Sequence, residues 1–99
     1  MDKRIENIKK HEHQLDTMET FISTLESVLE QWKSLQPGFK ELMDYYSSPQ
    51  WQKDVESENQ GEFKDLKCGV LSQDGIYNLY HRQRELSFEL IRTALDTIE

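Results

Sequence analysis

The sequence has few of the features that crosslink a chain, break its helices or anchor it in a membrane. Its 99 residues include one cysteine, Cys68, together with two prolines and four glycines. A single thiol cannot form a disulfide within the chain, so nothing indicates an oxidising compartment. No apolar run approaches the roughly 20 residues of a membrane span, and residues 1–6 lack the apolar core of a secretory signal. These absences predict a cytoplasmic protein without a membrane partner.

Basic charge is also scarce. The chain has 12 Lys and Arg residues against 19 Asp and Glu residues, which gives a net charge of -7 at pH 7. The acidic excess is spread along the whole chain. Without a basic segment, the chain lacks the main source of affinity for phosphates of nucleic acids and for anionic membrane surfaces. We therefore expect no nucleic acid as a partner.

Residues that bind metals or act as nucleophiles are few and scattered. His11 and His13 are two positions apart, so they cannot share one face of a helix, and no HxxxH or CxxC spacing occurs. Lys67 and a following helix start would lower the pKa of the Cys68 thiol, but no histidine is close in sequence to act as its base. No GxSxG, P-loop or GxGxxG motif occurs. We predict no catalytic residue, no metal site and no cofactor.

The clearest pattern is a series of heptads near the N-terminus. Neither proline nor glycine occurs before Pro37. Two series repeat every seven residues and correspond to the a positions Ile8, Leu15, Ile22 and Leu29 and the d positions His11, Met18, Leu25 and Trp32. Further apolar residues widen the resulting stripe, namely Ile5, Phe21, Val28 and Leu35. The pattern predicts one long helix over residues 2–35, with Asp2 as its N-cap.

A first break follows this helix. Pro37 lacks a backbone donor and disfavours helical geometry at the residue before it, and Gly38 comes next. The sequence therefore predicts that the long helix ends near residue 35. Apolar residues at helical spacing then predict a short helix over 39–46.

Two more helices are expected beyond a second break. Ser48 as N-cap and Pro49 at the first helical position predict a helix over 49–59. An irregular loop should occupy residues 61–71, held against the core by Phe63, Leu66, Val70 and Leu71. Apolar steps of three and four residues then predict an amphipathic helix over 73–98.

These elements predict an all-α protein with a single domain over residues 1–99. Each long helix has one apolar stripe that must be buried against something. The expected architecture is an up-down bundle of three to four helices. Its long helices, about 2–35 and 73–98, would pack antiparallel with the short helices, about 39–46 and 49–59, between them.

Aromatic residues are concentrated around the second break. Tyr45, Tyr46 and Trp51 lie within seven residues of one another, and Tyr77 is near the start of the last helix. Tyr and Trp dominate the hot spots of binding surfaces, but they also fill small cores while keeping one polar end in water. Both interpretations stay open here. A ligand or partner site at this place would comprise Tyr45, Tyr46, Trp51, Asp54, Asp74 and Tyr77.

Two stretches in this part of the chain resemble a known family. Residues 45–54 read Tyr-Tyr-Ser-Ser-Pro-Gln-Trp-Gln-Lys-Asp, and residues 65–77 follow the pattern D-L-K-x-G-V-L-S-x-D-x-x-Y. Both are similar to stretches of the small bacterial family catalogued as domain of unknown function 4298. The chain departs from the family at Phe63 and Lys64, where a proline is expected. The resemblance covers nearly the whole chain and implies an all-α, bacterial, cytoplasmic protein without an assigned activity.

The second stretch also has a physical interpretation as the junction between the loop and the last helix. Gly69 permits a backbone conformation that other residues resist. Ser72 is expected to cap the last helix, with Asp74 in its first turn near the positive end of the helix dipole. This junction needs no ligand to explain it.

The leading functional hypothesis is a non-enzymatic module for protein interaction or self-association. It rests on the long heptad stripe, which exceeds what one short chain can cover. The alternative is a small-ligand-binding or enzymatic helical domain whose site lies between the aromatic residues of 45–54 and the start of the last helix. That alternative requires a concave pocket with convergent polar groups.

Overall fold

The computed structural model describes residues 2–98 of the chain. This part forms three α-helices and one short 3-10 turn, and it contains no β-strand. The elements are α1 (Lys3–Tyr46), α2 (Pro49–Asn59), the 3-10 turn (Gly69–Leu71) and α3 (Gly75–Ile98). The all-α prediction is therefore confirmed. None of the helices within 2–98 has the length and apolar character needed to cross a membrane.

Helix α1 starts where the sequence predicts. The Oδ1 atom of Asp2 accepts a hydrogen bond from the backbone N–H of Arg4 at 2.9 Å. The backbone carbonyl of Asp2 accepts the N–H of Glu6 at 3.3 Å. Since the side chain of Asp2 satisfies one of the free donors of the first turn, it acts as the expected N-cap.

The end of α1 differs from the prediction. The helix continues through Pro37 to Tyr46, so both the predicted end near residue 35 and the separate helix over 39–46 were wrong. Pro37 removes only one donor from a helix of 44 residues. Ending the helix and starting another would require a new and unfavourable nucleation step, whereas continuing it adds a hydrogen bond for nearly every residue. The side chain of Gln36 also donates to the carbonyl of Trp32 at 3.3 Å, in the turn before the proline.

Helix α2 confirms its prediction at both ends. Ser48 has an extended backbone, with φ -90° and ψ 155°, and its side chain accepts the N–H of Trp51. Pro49 occupies the first turn, where its missing donor costs nothing. The helix ends at Asn59, and Gly61 then adopts a φ of 81°, which only glycine reaches without strain. The glycine requirement thus falls at Gly61 and not at Gly69, since Gly61 is the one glycine with positive φ in residues 2–98.

Helix α3 starts at Gly75, two residues after the predicted start. The hydroxyl of Ser72 accepts the N–H of Gly75 at 3.1 Å and donates to the carbonyl of Gly69 at 2.8 Å. Ser72 therefore caps this junction as predicted, although a turn separates it from the helix. The prediction that Asp74 lies in the first turn of this helix was wrong, because α3 starts only at Gly75 and Asp74 directly precedes it. The carbonyl of Asp74 accepts the N–H of Asn78 at 2.8 Å.

The loop before α3 has one buried anchor. Leu71 is 7% exposed, and Ile76, the first large apolar residue of α3, is 3% exposed. The predicted role of Leu66 as an anchor was wrong, because its side chain is 65% exposed. Leu66 closes a tight turn through its backbone, whose N–H donates to the carbonyl of Phe63 at 3.0 Å, and this bond does not bury its side chain. Val70 is also exposed.

The chain divides into two compact units, one up to Phe39 and one from Lys40 onward. The first unit consists of most of α1. The second contains the last residues of α1, helix α2, the 3-10 turn and α3, and the 3-10 turn packs against both α2 and α3. The core residues Leu71 and Ile76 belong to the second unit. The antiparallel bundle expected from the sequence is not confirmed by these units.

Candidate functional site

The corner between α1 and α2 is built by the cap of α2. The backbone N–H of Trp51 donates to the hydroxyl of Ser48 at 3.4 Å, and that hydroxyl donates to the carbonyl of Tyr45 at 2.6 Å. The Ser48 hydroxyl therefore accepts a backbone N–H at the start of α2 and also donates to a backbone carbonyl near the end of α1. The two helices are tied together over a connection of only Ser47 and Ser48.

A polar cluster crosses this corner. The hydroxyl of Tyr45 donates to Oδ2 of Asp54 at 2.5 Å. The side-chain amide of Gln50 donates to Oδ1 of the same carboxylate at 2.8 Å. Both oxygens of Asp54 are therefore engaged within the chain. We call Tyr45, Gln50 and Asp54 the corner cluster.

The hydrogen bond changes the acidity of both groups that can titrate. Accepting the Tyr45 hydroxyl lowers the pKa of Asp54, and the bond from Gln50 adds to this effect. The pKa of Tyr45 is raised from 10.0 to about 12, mainly by the hydrogen bond to this carboxylate, with burial and the negative charge of Asp54 as further causes. A phenol held in its protonated form beside an ionised carboxylate acts as a hydrogen-bond donor and not as a base.

Two aromatic rings form the apolar part of the corner. The ring of Tyr46 meets that of Trp51 edge to face, with centroids 4.9 Å apart and an angle of 75°. The indole N–H of Trp51 donates to the carbonyl of Val70 at 3.0 Å, which joins α2 to the 3-10 turn. Both rings are partly buried. This arrangement is what a structural anchor requires, since the ring packs and the polar atom is satisfied.

The structure brings four of the six candidate residues together and leaves two apart. Tyr45, Tyr46, Trp51 and Asp54 are joined by the contacts described above. Asp74 and Tyr77 are exposed near the start of α3, and within residues 2–98 no hydrogen bond or ring contact joins them to the other four. The ring of Tyr77 instead packs edge to face on His81, with centroids 4.4 Å apart.

Two hydrogen-bond partners at the corner were not predicted from the sequence. Gln50 lies four residues before Asp54 on α2, and that spacing is a known signal for a side-chain hydrogen bond on a helix. The carbonyl of Val70 had no such signal, because it is 19 residues from Trp51 and the path of the loop decides the contact. A ligand at this corner would have to displace the internal bonds of Tyr45, Trp51 and Asp54. The ligand-binding alternative stays a prediction.

The environment of Cys68 differs from what its neighbours in sequence suggest. Burial raises the pKa of its thiol, and the negative charge of Glu58 raises it further. The expected lowering by Lys67 was therefore wrong, because the fold brings a carboxylate near the sulfur. A thiol with a raised pKa is a weaker nucleophile at neutral pH.

An apolar surface along α1, which we call the α1 stripe, is exposed, as are large apolar side chains along α3. The α1 stripe lies on a continuous helix, and its apolar side chains are 43–67% exposed. Its members are Ile5, Ile8, Leu15, Met18, Phe21, Ile22, Leu25, Val28, Leu29 and Leu35. Large exposed apolar patches are typical of interaction sites, so the α1 stripe is a candidate interaction surface. His11, the polar d position of the same pattern, is exposed and its Nδ1 lies 2.7 Å from the side-chain oxygen of Gln14.

The fold and the corner thus define a small acidic protein of three α-helices whose polar and aromatic cluster holds α1, α2 and the loop together. The family model described as "Domain of unknown function (DUF4298)" matches residues 8–93 of this chain. The chain belongs to that family, as its two characteristic stretches indicated. No curated protein matches it, and no solved structure matches it either.

Proposed function

We propose that the chain is a non-enzymatic protein-interaction module that works by self-association through the α1 stripe. The observation that carries this proposal is the heptad pattern on an unbroken helix, with its apolar side chains about half exposed. Heptad stripes are buried in the native state by pairing with another helix. The corner cluster supports the proposal in a second way, because its polar groups already have partners within the chain.

The energy available from the α1 stripe is large enough for association. Complete burial of a large apolar side chain contributes about 1.5–3 kcal/mol, so a half-exposed one can still contribute about 1 kcal/mol. Across the members of the α1 stripe the sum is on the order of 10 kcal/mol. The loss of translational and rotational freedom on association costs about 4–15 kcal/mol. A large part of the stripe must therefore be buried in the interface for stable association.

We propose further that the helices of each chain form an antiparallel bundle in the assembled state. Helix α1 has 44 residues and α3 has 24. At about 1.5 Å per residue these lengths are about 66 Å and about 36 Å. Even if α3 packs back along α1 with α2 beside it, α3 can reach only about half of α1. The remaining part of the α1 stripe stays available for a second chain.

The experiment is the solution mass of the purified protein, measured by light scattering after size exclusion over a series of concentrations. We expect a mass that is a multiple of the monomer mass. Leu25→Glu places a charge in the middle of the α1 stripe, and we expect it to give a monomer. Ser27→Glu introduces the same side chain two residues further on, about 200° around the helix, and should leave the mass unchanged.

Each result has a definite meaning. A wild-type chain that stays monomeric at every concentration contradicts the proposal. So does a Leu25→Glu variant that assembles as well as the wild type. Equal losses in Leu25→Glu and Ser27→Glu would show that added negative charge, and not the α1 stripe, controls assembly. Helix content from circular dichroism must stay the same in both variants for this comparison to hold.

A further inference from the structure

We infer that the partner on the α1 stripe is a second copy of this chain whose α1 runs parallel and in register with the first. This inference rests on the proposed function, and it adds the identity and orientation of the partner. The observation behind it is the charge on the two flanks of the α1 stripe. The flanks are unlike each other, and their difference decides which way two copies can pair.

One flank is acidic. Glu12, Glu19 and Glu26 each directly follow a d position of the heptads, so they border the seam of a and d positions on one side. All three are exposed. We call them the acidic flank. They are spaced seven residues apart and form one row of negative charge beside the apolar surface, and Lys33 follows at the end of this row.

The opposite flank has no acidic residue. Gln14, Phe21 and Val28 each directly precede an a position of the heptads, so they border the seam of a and d positions on its other side. Asn7 and Leu35 lie in the same row. This row consists of two amides and three apolar side chains and carries no charge. We call these residues the neutral flank.

Symmetry then relates the orientation of the pair to the charges that meet. A two-fold axis along the helices, as in a parallel pair, places the acidic flank of one copy beside the neutral flank of the other. Glu12 of one copy then lies beside Asn7 of the other, and Glu19 beside Gln14, whose side-chain amide can donate to it. A two-fold axis perpendicular to the helices, as in an antiparallel pair, places equal flanks together.

The antiparallel arrangement brings like charges into contact. With the heptads fully overlapped, the acidic flank of each copy faces itself, so that Glu19 meets Glu19 and Glu12 meets Glu26. Like charges across a helical interface disfavour that pairing. The parallel arrangement avoids these contacts with the heptads of both copies in register. The separation of like charges therefore selects the parallel pair.

The test is disulfide crosslinking of single-cysteine variants in a Cys68→Ser background, with the solution mass measured on the same samples. Leu29→Cys places the thiol at an a position. In a parallel pair in register the two thiols face each other, within the distance that a disulfide spans. In an antiparallel pair Leu29 faces His11, and the two thiols are about 27 Å apart at 1.5 Å per residue.

Two further variants show whether the result depends on a single substitution or on nonspecific crosslinking. Ile8→Cys repeats it at the other end of the stripe, so a change in folding from one substitution does not decide the result. Thr20→Cys lies on the outer face, two residues beyond a d position, and is the matched control. We expect most of Leu29→Cys and of Ile8→Cys to be converted into covalent dimer by mild oxidation, and most of Thr20→Cys to stay uncrosslinked.

The outcomes separate this inference from the proposed function. A dimer by mass that crosslinks at Leu29 and Ile8 supports both. A dimer by mass that crosslinks at neither position overturns the parallel orientation and leaves self-association standing. A chain that is monomeric at all concentrations overturns both. Binding of a different protein to a monomeric chain would likewise overturn this inference.

Discussion

The α1 stripe and the corner cluster differ in whether their side chains have partners within the chain. At the corner, every polar atom discussed above has a partner close in sequence or in the adjoining loop, as with Tyr45, Asp54 and Trp51. Along the stripe, large apolar side chains lie about half exposed on one helix. The corner can therefore hold its shape through contacts of its own. The α1 stripe shows that a regular helix can form while its apolar face stays about half exposed.

The largest effect is expected at the end of the stripe, where Pro37 lies inside α1. We predict that Pro37→Ala raises the free energy of unfolding by up to about 3 kcal/mol, because proline in a helix interior removes a hydrogen bond and clashes with the preceding turn. Urea denaturation followed by circular dichroism measures the change. A neutral or destabilising result would indicate that the helix breaks at Pro37, as the sequence alone suggested.

The second proline supplies the control. Pro49 occupies the first turn of α2, where its fixed φ suits the helix and no donor is lost. The same substitution there, Pro49→Ala, should give no gain in stability. A similar gain at both positions would mean that proline acts through the unfolded chain and not through helix geometry.

This contrast between the prolines shows what the sequence could and could not predict. At Pro49, Ser48 gave a local capping signal, and the helix starts where that signal lies. At Pro37 the local signal indicated a break, but the cooperativity of a long helix on both sides outweighed it. Local patterns therefore predicted the type of every helix and the start of α2. They could not predict a boundary that depends on the balance between one lost bond and a new nucleation step.

A smaller effect tests the tight junction before α3. A Cβ atom at Gly75 would lie 2.9 Å from the carbonyl oxygen of Gly69 and 2.7 Å from the hydroxyl of Ser72. Since the carbonyl is backbone and cannot rotate away, we predict that Gly75→Ala destabilises the protein by about 1–3 kcal/mol. Denaturation with urea measures it. If Gly75→Ala is neutral, the junction is looser than these distances indicate.

The matched control lies in α1. Gly38 has no atom within 4 Å of its Cβ position, and it lies inside the helix. There the same substitution, Gly38→Ala, should stabilise the protein by about 0.5–1 kcal/mol, because alanine loses less conformational freedom than glycine in a helix. Opposite signs for the two variants would confirm that the junction is closely packed and α1 is open.

The candidate site was also predicted only in part, for a physical reason. The sequence placed Tyr45, Tyr46, Trp51 and Asp54 near one another because they are close along two helices joined by a short turn. It could not place Asp74 and Tyr77, since their position depends on an irregular loop that no periodic pattern describes. The structure puts those two residues on the exposed start of α3.

The smallest effect concerns the corner cluster and its dependence on pH. The carboxylate of Asp54 raises the pKa of Tyr45 from 10.0 to about 12, so the folded chain keeps this phenol protonated longer than the unfolded chain does. The hydrogen bond therefore contributes its full stability from neutral pH up to pH 10, and this contribution is lost as the pH rises from 10 to about 12. An ultraviolet titration of tyrosinate formation should show one transition near pH 12 that Tyr45→Phe removes. Asp54→Asn should move this transition toward the ordinary pH of tyrosine, because the negatively charged acceptor is gone, whereas Tyr46→Phe should leave it in place.

If the transition survives in Tyr45→Phe, the hydroxyl does not bond Asp54 in solution. The corner would then be no better satisfied by internal contacts than the α1 stripe, and it would become a candidate for an external ligand.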